Sequence, residues 1–308
     1  MSEPTPRLNL IQRAMQQASL KRAPSPPEDE IAVREMPEEY REPAPKRTNG
    51  EAAAARAGSL HPAAPKGLRL NMNRLRESRM VTPDNRASVT YNEFRSIKRK
   101  LLPMTRDPET RATTKNVVMI TSALAGEGKT YTAMNLAIGL AAERNLEVIL
   151  VDGDVVRASL GQYFEGAPEE GLVDLLTGRR QHIDEVMQNC ADLPNLHVIF
   201  SGRRDDTSPE LLASRRMAEI CALLSRRFRE CVVVIDAPPV LATAEPSAMA
   251  AHVNHLIMVV AAGQVARHHV EEALAGVAAC PSISLVFNKS PEWQRSTPYP
   301  YYYNYAKS

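Results

Sequence analysis

The 308-residue sequence lacks a CxxC pair, and none of its four cysteines, Cys190, Cys221, Cys231 and Cys280, has a companion histidine at ligand distance. That spacing argues against a zinc site or a disulfide framework, and for buried free thiols in a reducing cytoplasm. Long apolar runs are missing too. The longest, Leu256 to Ala262, falls far short of the roughly 20 residues that span a membrane, and the amino terminus carries no apolar stretch of a secretory signal. Nor does one sign of charge prevail: 38 basic against 36 acidic residues leave a net charge of +2, so no global field directs the chain to nucleic acid. There is no internal repeat. What remains is an ordinary soluble composition, 44% apolar and 24% charged, with enough chain for a sizeable core.

Residues 1–85 are rich in Pro, Ala, Glu and Arg, with clusters such as Pro24-Ser25-Pro26-Pro27 and Pro43-Ala44-Pro45, and read as a disordered arm unable to fold alone. Within it Leu8, Ile11 and Met15 fall at helical spacing, which fits either a nascent helix or a short docking helix over Leu8 to Leu20. From Tyr91 to Leu102, Phe94, Ile97, Leu101 and Leu102 mark one helical face and lead into a folded domain over 86–289. Short β-branched runs then recur at Asn116 to Thr121, Glu147 to Asp152, Leu196 to Phe200, Cys231 to Asp236, His255 to Ala261 and Ile283 to Asn288. Helical patterns separate most of them, notably Lys129 to Glu143, Pro209 to Phe228 and Arg267 to Ala279. Strands apolar on both faces, alternating with helices, predict an α/β fold with a mainly parallel sheet covered on both sides.

The first run ends in Ser122-Ala123-Leu124-Ala125-Gly126-Glu127-Gly128-Lys129-Thr130 and continues as a helix, which is the strand, glycine loop and helix of a P-loop. In that geometry the backbone N–H groups from Ala125 through Tyr131 and the positive helix terminus wrap the phosphates of ATP. Lys129 reaches the β- and γ-phosphates, and the Thr130 hydroxyl ligates Mg²⁺. One departure is plain: Ala123 stands where the G-x-x-x-x-G-K-[ST] pattern begins with glycine. A second apolar strand delivers Asp152 and Asp154 to its carboxyl end, and a third ends in Asp236-Ala237-Pro238-Pro239. An acid after a strand is often only a turn or cap residue, but open α/β sheets bind ligands at this edge. Three carboxylates beside Mg-ATP can hold the ion, through Asp152 and Asp236, and accept a proton from an attacking hydroxyl, which makes Lys129, Asp152 and Asp154 the candidate catalytic residues.

The loop, the Asp152/Asp154 pair and the Asp236-Ala-Pro-Pro strand end resemble the P-loop tyrosine kinases (BY-kinases) of bacterial capsule and exopolysaccharide synthesis. Further matches are Gly171 to Gly178, Pro209 to Ser214 and Phe287-Asn288-Lys289, so the resemblance covers Tyr91 to Ser308. It implies a P-loop NTPase-like fold, ATP and Mg²⁺ as cofactors, a nucleotide contact from Asn288, and self-association, in some relatives as a ring. The family's oligomerisation pattern E-x-x-R-x-x-R falls on Asn92, Arg95 and Lys98, with its acid displaced to Glu93. Val156 takes the place of the family's arginine after the second acid, and Arg157 follows it. Asn9 to Ala14 and Asp154-Val155-Val156 look most like the exosortase-associated branch of these autokinases. The resemblance also implies a membrane-spanning polysaccharide co-polymerase as activator, expected here as a separate polypeptide. It implies a phosphotyrosine phosphatase too, and recruitment of a cytoplasmic chain to the inner face of the plasma membrane.

Tyr299, Tyr301, Tyr302, Tyr303 and Tyr305 are five of the chain's nine tyrosines, and they lie in a terminal segment, 290–308, with prolines at 298 and 300. Without a period of two, that segment reads as a flexible tail rather than a packed strand. Beside a kinase fold its phenols read as phosphoacceptors. The 19 residues from Ser290 could extend roughly 60 Å, enough to reach a neighbouring subunit for transfer in trans. Two rival functions share the loop: a partitioning or division-site ATPase of the ParA/MinD type, and a non-catalytic nucleotide-binding adaptor of a polysaccharide export complex. The first would carry a signature lysine where this chain has Leu124.

Overall fold

Runs of β-branched and aliphatic residues that are apolar on both faces form interior strands only where helices cover both sides of the sheet, and this chain builds such a layer. The computed structural model describes residues 67–105, 114–203 and 208–290, all within the unit Pro62–Ser308. In chain order the elements are β1 (Arg69–Leu70), α1 (Met72–Glu77), α2 (Val89–Thr105), β2 (Val117–Ser122), α3 (Lys129–Ala141), β3 (Val148–Asp152), β4 (Phe164–Glu165) and α4 (Leu172–Leu176). They continue with β5 (Met187–Asn189), β6 (Leu196–Ile199), α5 (Ser208–Leu212), α6 (Arg215–Arg227), β7 (Val232–Asp236), α7 (Glu245–Met249), β8 (His255–Ala261), α8 (Arg267–Gly276) and β9 (Ser282–Asn288).

The main sheet runs β5-β6-β3-β7-β2-β8-β9 and is parallel except for β5, which pairs antiparallel with β6 at one edge. The fold is that of a P-loop NTPase. Every residue of β2, β3, β7 and β8 is buried, as expected of central parallel strands. Asp152 and Asp236 are register partners at the carboxyl ends of β3 and β7, with β2 alongside β7. The sheet therefore delivers the glycine loop and two acids to one edge. Among the described residues no helix is long and apolar enough to cross a membrane.

The structure moves several boundaries. The arm expected over 1–85 does not extend that far: from Gly67 the chain is packed, β1 pairs antiparallel with β4, and Leu68, Leu70, Leu75, Met80 and Val81 enter the core. Residues 1–66, including the helix expected near Leu8, lie outside the described residues. The single helix expected from Pro209 to Phe228 is two, because Ser214 adopts extended backbone (ψ 161) and starts α6 afresh. Lys98, aligned with the family's oligomerisation pattern, is turned inward. It donates to the Gly139 carbonyl at 3.3 Å and pairs with Glu143, while Asn92 and Arg95 stay exposed. All four cysteines are buried and free, and burial pushes the Cys221 and Cys231 thiols up to about 12.

Leu75 is fully buried on α1, so Leu75→Ala is expected to destabilise the fold by about 2–5 kcal/mol through lost transfer energy and the cavity left behind. Urea denaturation measures this; an unchanged midpoint would return the segment to an unstructured arm.

Candidate phosphate-binding site

The loop after β2 is shaped by two left-handed glycines, Gly126 (φ 84) and Gly128 (φ 99), a conformation that side chains resist. Ala123 occupies no such region, and its methyl group is fully buried, so the departure from glycine at the head of the motif leaves the turn intact. Glu127 points inward rather than toward a ligand. Its carboxylate accepts from the Leu124 N–H at 2.6 Å and from the Ala261 N–H at the end of β8 at 3.0 Å. From β9 the Asn288 side-chain amide donates to the Glu127 carbonyl and the Lys289 ammonium to that of Gly126, each at 2.8 Å. A Cβ on Gly128 would meet the Asn288 Nδ2 at 2.0 Å, a second reason for glycine there.

α3 then starts at Lys129, with its N-terminal N–H groups facing the loop. Lys129 is 5% exposed and its Nζ lies 2.5 Å from Asp154 Oδ2. The Thr130 hydroxyl donates to Asp236 Oδ2 at 2.6 Å and stands 3.2 Å from Ser159 Oγ. Asp152 Oδ2 accepts from the Leu160 N–H at 3.3 Å. Gly153 allows this crowding: a Cβ there would press on the Asp236 carbonyl at 2.9 Å, and its N–H donates to that carbonyl.

Burial raises both acids. Burial, then the neighbouring Asp236, pushes Asp152 up to about 8, and burial pushes Asp236 up to about 6 against the opposing Lys129 and Thr130. One oxygen of each, Asp152 Oδ1 and Asp236 Oδ1, is buried with no hydrogen-bond partner. A hydrated divalent cation would satisfy both. Mg²⁺, an ion that keeps several waters and is bound through one or two carboxylates plus substrate phosphates, is of that kind.

The structure thus brings Lys129, Thr130, Asp152, Asp154 and Asp236 together beneath the loop of Ala125, Gly126 and Gly128. Three side chains of the expected nucleotide-binding set are engaged elsewhere. The Glu127 and Asn288 side chains brace the loop backbone, and the Tyr131 side chain turns away, its hydroxyl donating to the Arg79 carbonyl at 3.1 Å and its ring meeting Phe94 edge-on. Sequence reasoning missed Ser159, which no motif marks, and the loop-bracing part of Lys289. The five tail tyrosines lie outside the described residues.

The AAA domain profile matches residues 115–281. The chain belongs to the AAA domain family. Its relatives include tyrosine-protein kinase YwqD of Bacillus subtilis, 26% identical over 215 residues, 70% of this chain and 86% of that protein. EpsB of Ralstonia solanacearum is 33% identical over 144 residues, 47% of this chain and 18% of that protein. Tyrosine-protein kinase ptk of Acinetobacter johnsonii is 32% identical over 130 residues, 42% of this chain and 17% of that protein. The chain therefore spans less than a fifth of the length of the latter two. The kinase domain of Escherichia coli tyrosine kinase ETK superposes with a TM-score of 0.60 at 24% identity, covering 72% of this chain and 84% of that domain. The relatives carry the names of bacterial tyrosine kinases, and the superposition establishes the common fold.

In this AAA domain the folded-state value of Asp152, about 8, lies above the unfolded 3.8, so across that window the folded protein holds a proton the unfolded chain has released. Stability contributed by the protonated form is present at low pH and is lost as pH rises through the window. Asp152→Asn should therefore stabilise the nucleotide-free protein, with a gap in Tm from the parent that widens between about pH 5 and about pH 8. Parallel melting curves at the two pH values would contradict the buried carboxyl pair.

Proposed function

We propose that the chain is an ATP-dependent protein-tyrosine autokinase that phosphorylates its own carboxyl-terminal tyrosines in trans and so regulates exopolysaccharide or capsule polymerisation and export. The observation that carries this reading is the convergence of Lys129, Thr130, Asp152, Asp154 and Asp236 at one sheet edge, in a chain that also carries a cluster of five tyrosines. Mg²⁺ bound with ATP would neutralise charge on the β- and γ-phosphates, held by Thr130 and Asp236 with Asp152 behind its waters. The chain's own residues do the rest. Phosphates entering the loop would compete with Asp154 for Lys129, leaving the Asp154 carboxylate oxygen free to accept the phenolic proton. The phenolic oxygen then forms its bond to the γ-phosphorus as the bond to the bridging oxygen breaks and ADP leaves.

The resemblance read in the sequence supplies the further terms of the reading. A membrane-spanning polysaccharide co-polymerase activates the kinase and recruits it to the inner face of the plasma membrane, a phosphatase reverses the modification, and the chains self-associate. Phosphates on the tail, each of about −1.5 to −2 charge, then repel one another and loosen the assembly.

Incubation with labelled ATP followed by phosphotyrosine mapping tests the reading. Lys129→Met should lose both nucleotide binding and phosphotyrosine. Asp154→Asn should keep binding yet lose transfer by about 10²–10⁴-fold, the usual worth of a general base. Unchanged phosphotyrosine in Lys129→Met, or ATP hydrolysis without any phosphotyrosine, would overturn it. Transfer in trans has its own measurement: a tail-less active chain mixed with the Lys129→Met chain should label the tail of the latter, and labelling confined to intact active chains would place the reaction in cis.

A further inference from the structure

The segment that follows β3, from Asp154 to Leu160, is folded back on the site by its own backbone. The Asp154 carbonyl accepts the N–H groups of Arg157 at 3.1 Å and Ala158 at 2.7 Å, and its Oδ1 accepts the Arg157 N–H at 3.2 Å. Ala158 sits in the left-handed region (φ 46), a conformation that a Cβ disfavours. Two residues on, Leu160 is fully buried and its N–H reaches Asp152 Oδ2. Ser159 is therefore fixed between two anchors, one on each of the acids that β3 delivers.

The Ser159 side chain is not spent where a serine in that place is ordinarily spent. It immediately precedes the 3₁₀ turn Leu160–Tyr163, a position from which a serine hydroxyl commonly accepts an N–H of the turn. Among the described residues it makes no such bond: its backbone is itself helical (φ −87, ψ −11), and the hydroxyl stands 3.2 Å from Thr130 Oγ1 instead. The direction of that contact follows from counting protons. A threonine hydroxyl has one proton and two lone pairs, and the Thr130 proton goes to Asp236 Oδ2 at 2.6 Å. Ser159 is therefore the donor and Thr130 the acceptor. With its proton and one lone pair committed, the Thr130 hydroxyl is held in one orientation and keeps a single lone pair free.

We propose that Ser159 is a positioning residue for the cation that enters with ATP: it acts through Thr130, aiming the free lone pair of that hydroxyl at the metal, and the left-handed turn at Ala158 holds it there. The proposal rests on the Mg-ATP part of the kinase reading and extends the site to a residue 29 positions beyond Thr130, outside the phosphate-loop motif. Thr130 is oriented before the cation arrives, so folding rather than binding does the ordering. A neutral donor suits this place. An ammonium or guanidinium there would orient Thr130 as well but would repel the cation, whereas a serine hydroxyl opposes no incoming charge.

The test measures binding, without transfer, of a fluorescent non-hydrolysable ATP analogue to the full chain, once with Mg²⁺ in excess and once in EDTA. Ser159→Ala should weaken binding with Mg²⁺ about tenfold, the lower end of the usual loss when the hydrogen-bond partner of a metal ligand is removed, and leave binding in EDTA unchanged. Ser159→Thr, which keeps the hydroxyl, should bind as the unaltered chain does. In a Thr130→Ala background Ser159→Ala should add nothing, because the residue through which it acts is gone. Equal weakening with and without Mg²⁺, a further loss in the Thr130→Ala background, or Ser159→Thr behaving as Ser159→Ala would make Ser159 a packing residue and overturn the proposal. Full Mg²⁺-dependent binding by Ser159→Ala would overturn it too. Each of these failures leaves the Mg-ATP reading standing, whereas an unaltered chain that binds the analogue no better with Mg²⁺ than in EDTA would sink that reading and the proposal with it.

Discussion

Asp152 and Asp236 end adjacent parallel strands in register, and the burial of these two carboxylates side by side is the constraint around which the site is arranged. Like charges in a dry setting cannot both ionise cheaply, so at least one proton stays until a cation arrives. The surroundings are fitted to that tension. Lys129 and the Thr130 hydroxyl approach from the helix side, the Leu160 N–H caps Asp152, and Gly153 keeps β3 close enough for the pair to meet. Two carboxylate oxygens nonetheless remain without partners. A cation held with phosphates would satisfy both oxygens, which gives binding energy a direction.

The phosphate loop needs stiffness as well as glycine. Freedom at Gly126 and Gly128 would be a liability if nothing held the turn, because the backbone N–H groups must point at one place. Glu127 supplies one restraint from inside, linking the loop to itself and to the end of β8, and β9 supplies another through Asn288 and Lys289. The strand order β7-β2-β8-β9 makes this possible, since the loop leaves β2 and is gripped by the two strands beyond it. A short loop is thereby tied to residues more than 130 positions away, as in the Ala261 N–H to Glu127 bond.

The legible parts of the sequence were those in which local pattern and tertiary role coincide. The glycine loop, the strands ending in Asp152 and Asp236, and the parallel sheet announce themselves because each is a continuous run whose chemistry is carried by neighbours in sequence. The segment from Gly67 to Thr82 was illegible for the opposite reason. Leu68, Leu70, Leu75, Met80 and Val81 are scattered among Arg, Asn and Pro-flanked residues, and the partner of β1 lies nearly a hundred residues on, in the two-residue β4. Such pairing leaves no periodicity to read. The break at Ser214 hid because apolar spacing runs on through it, and the side-chain directions of Tyr131, Glu127 and Asn288 were illegible because a motif tells which residues border a ligand and not which way their side chains turn.

Those turned side chains expose how the remote parts of the chain reach the site. At the amino-terminal end of the described domain, the Tyr131 hydroxyl holds the carbonyl of Arg79, itself in the left-handed region (φ 54), and Asn135 accepts the Val81 N–H at 2.6 Å one turn further along α3. At the other end, Asn288 and Lys289 hold the loop that opens the same helix. α3 is therefore clasped near its start from both sides, by the segment that leads into α2 and by the strand that leads into the tyrosine segment. Lys129 and Thr130, the residues proposed to meet the phosphates, lie in the first turn of this helix, between these two clasps. The helix is buried along nearly its whole length, so the two clasps and the phosphate loop are set by one closely packed element.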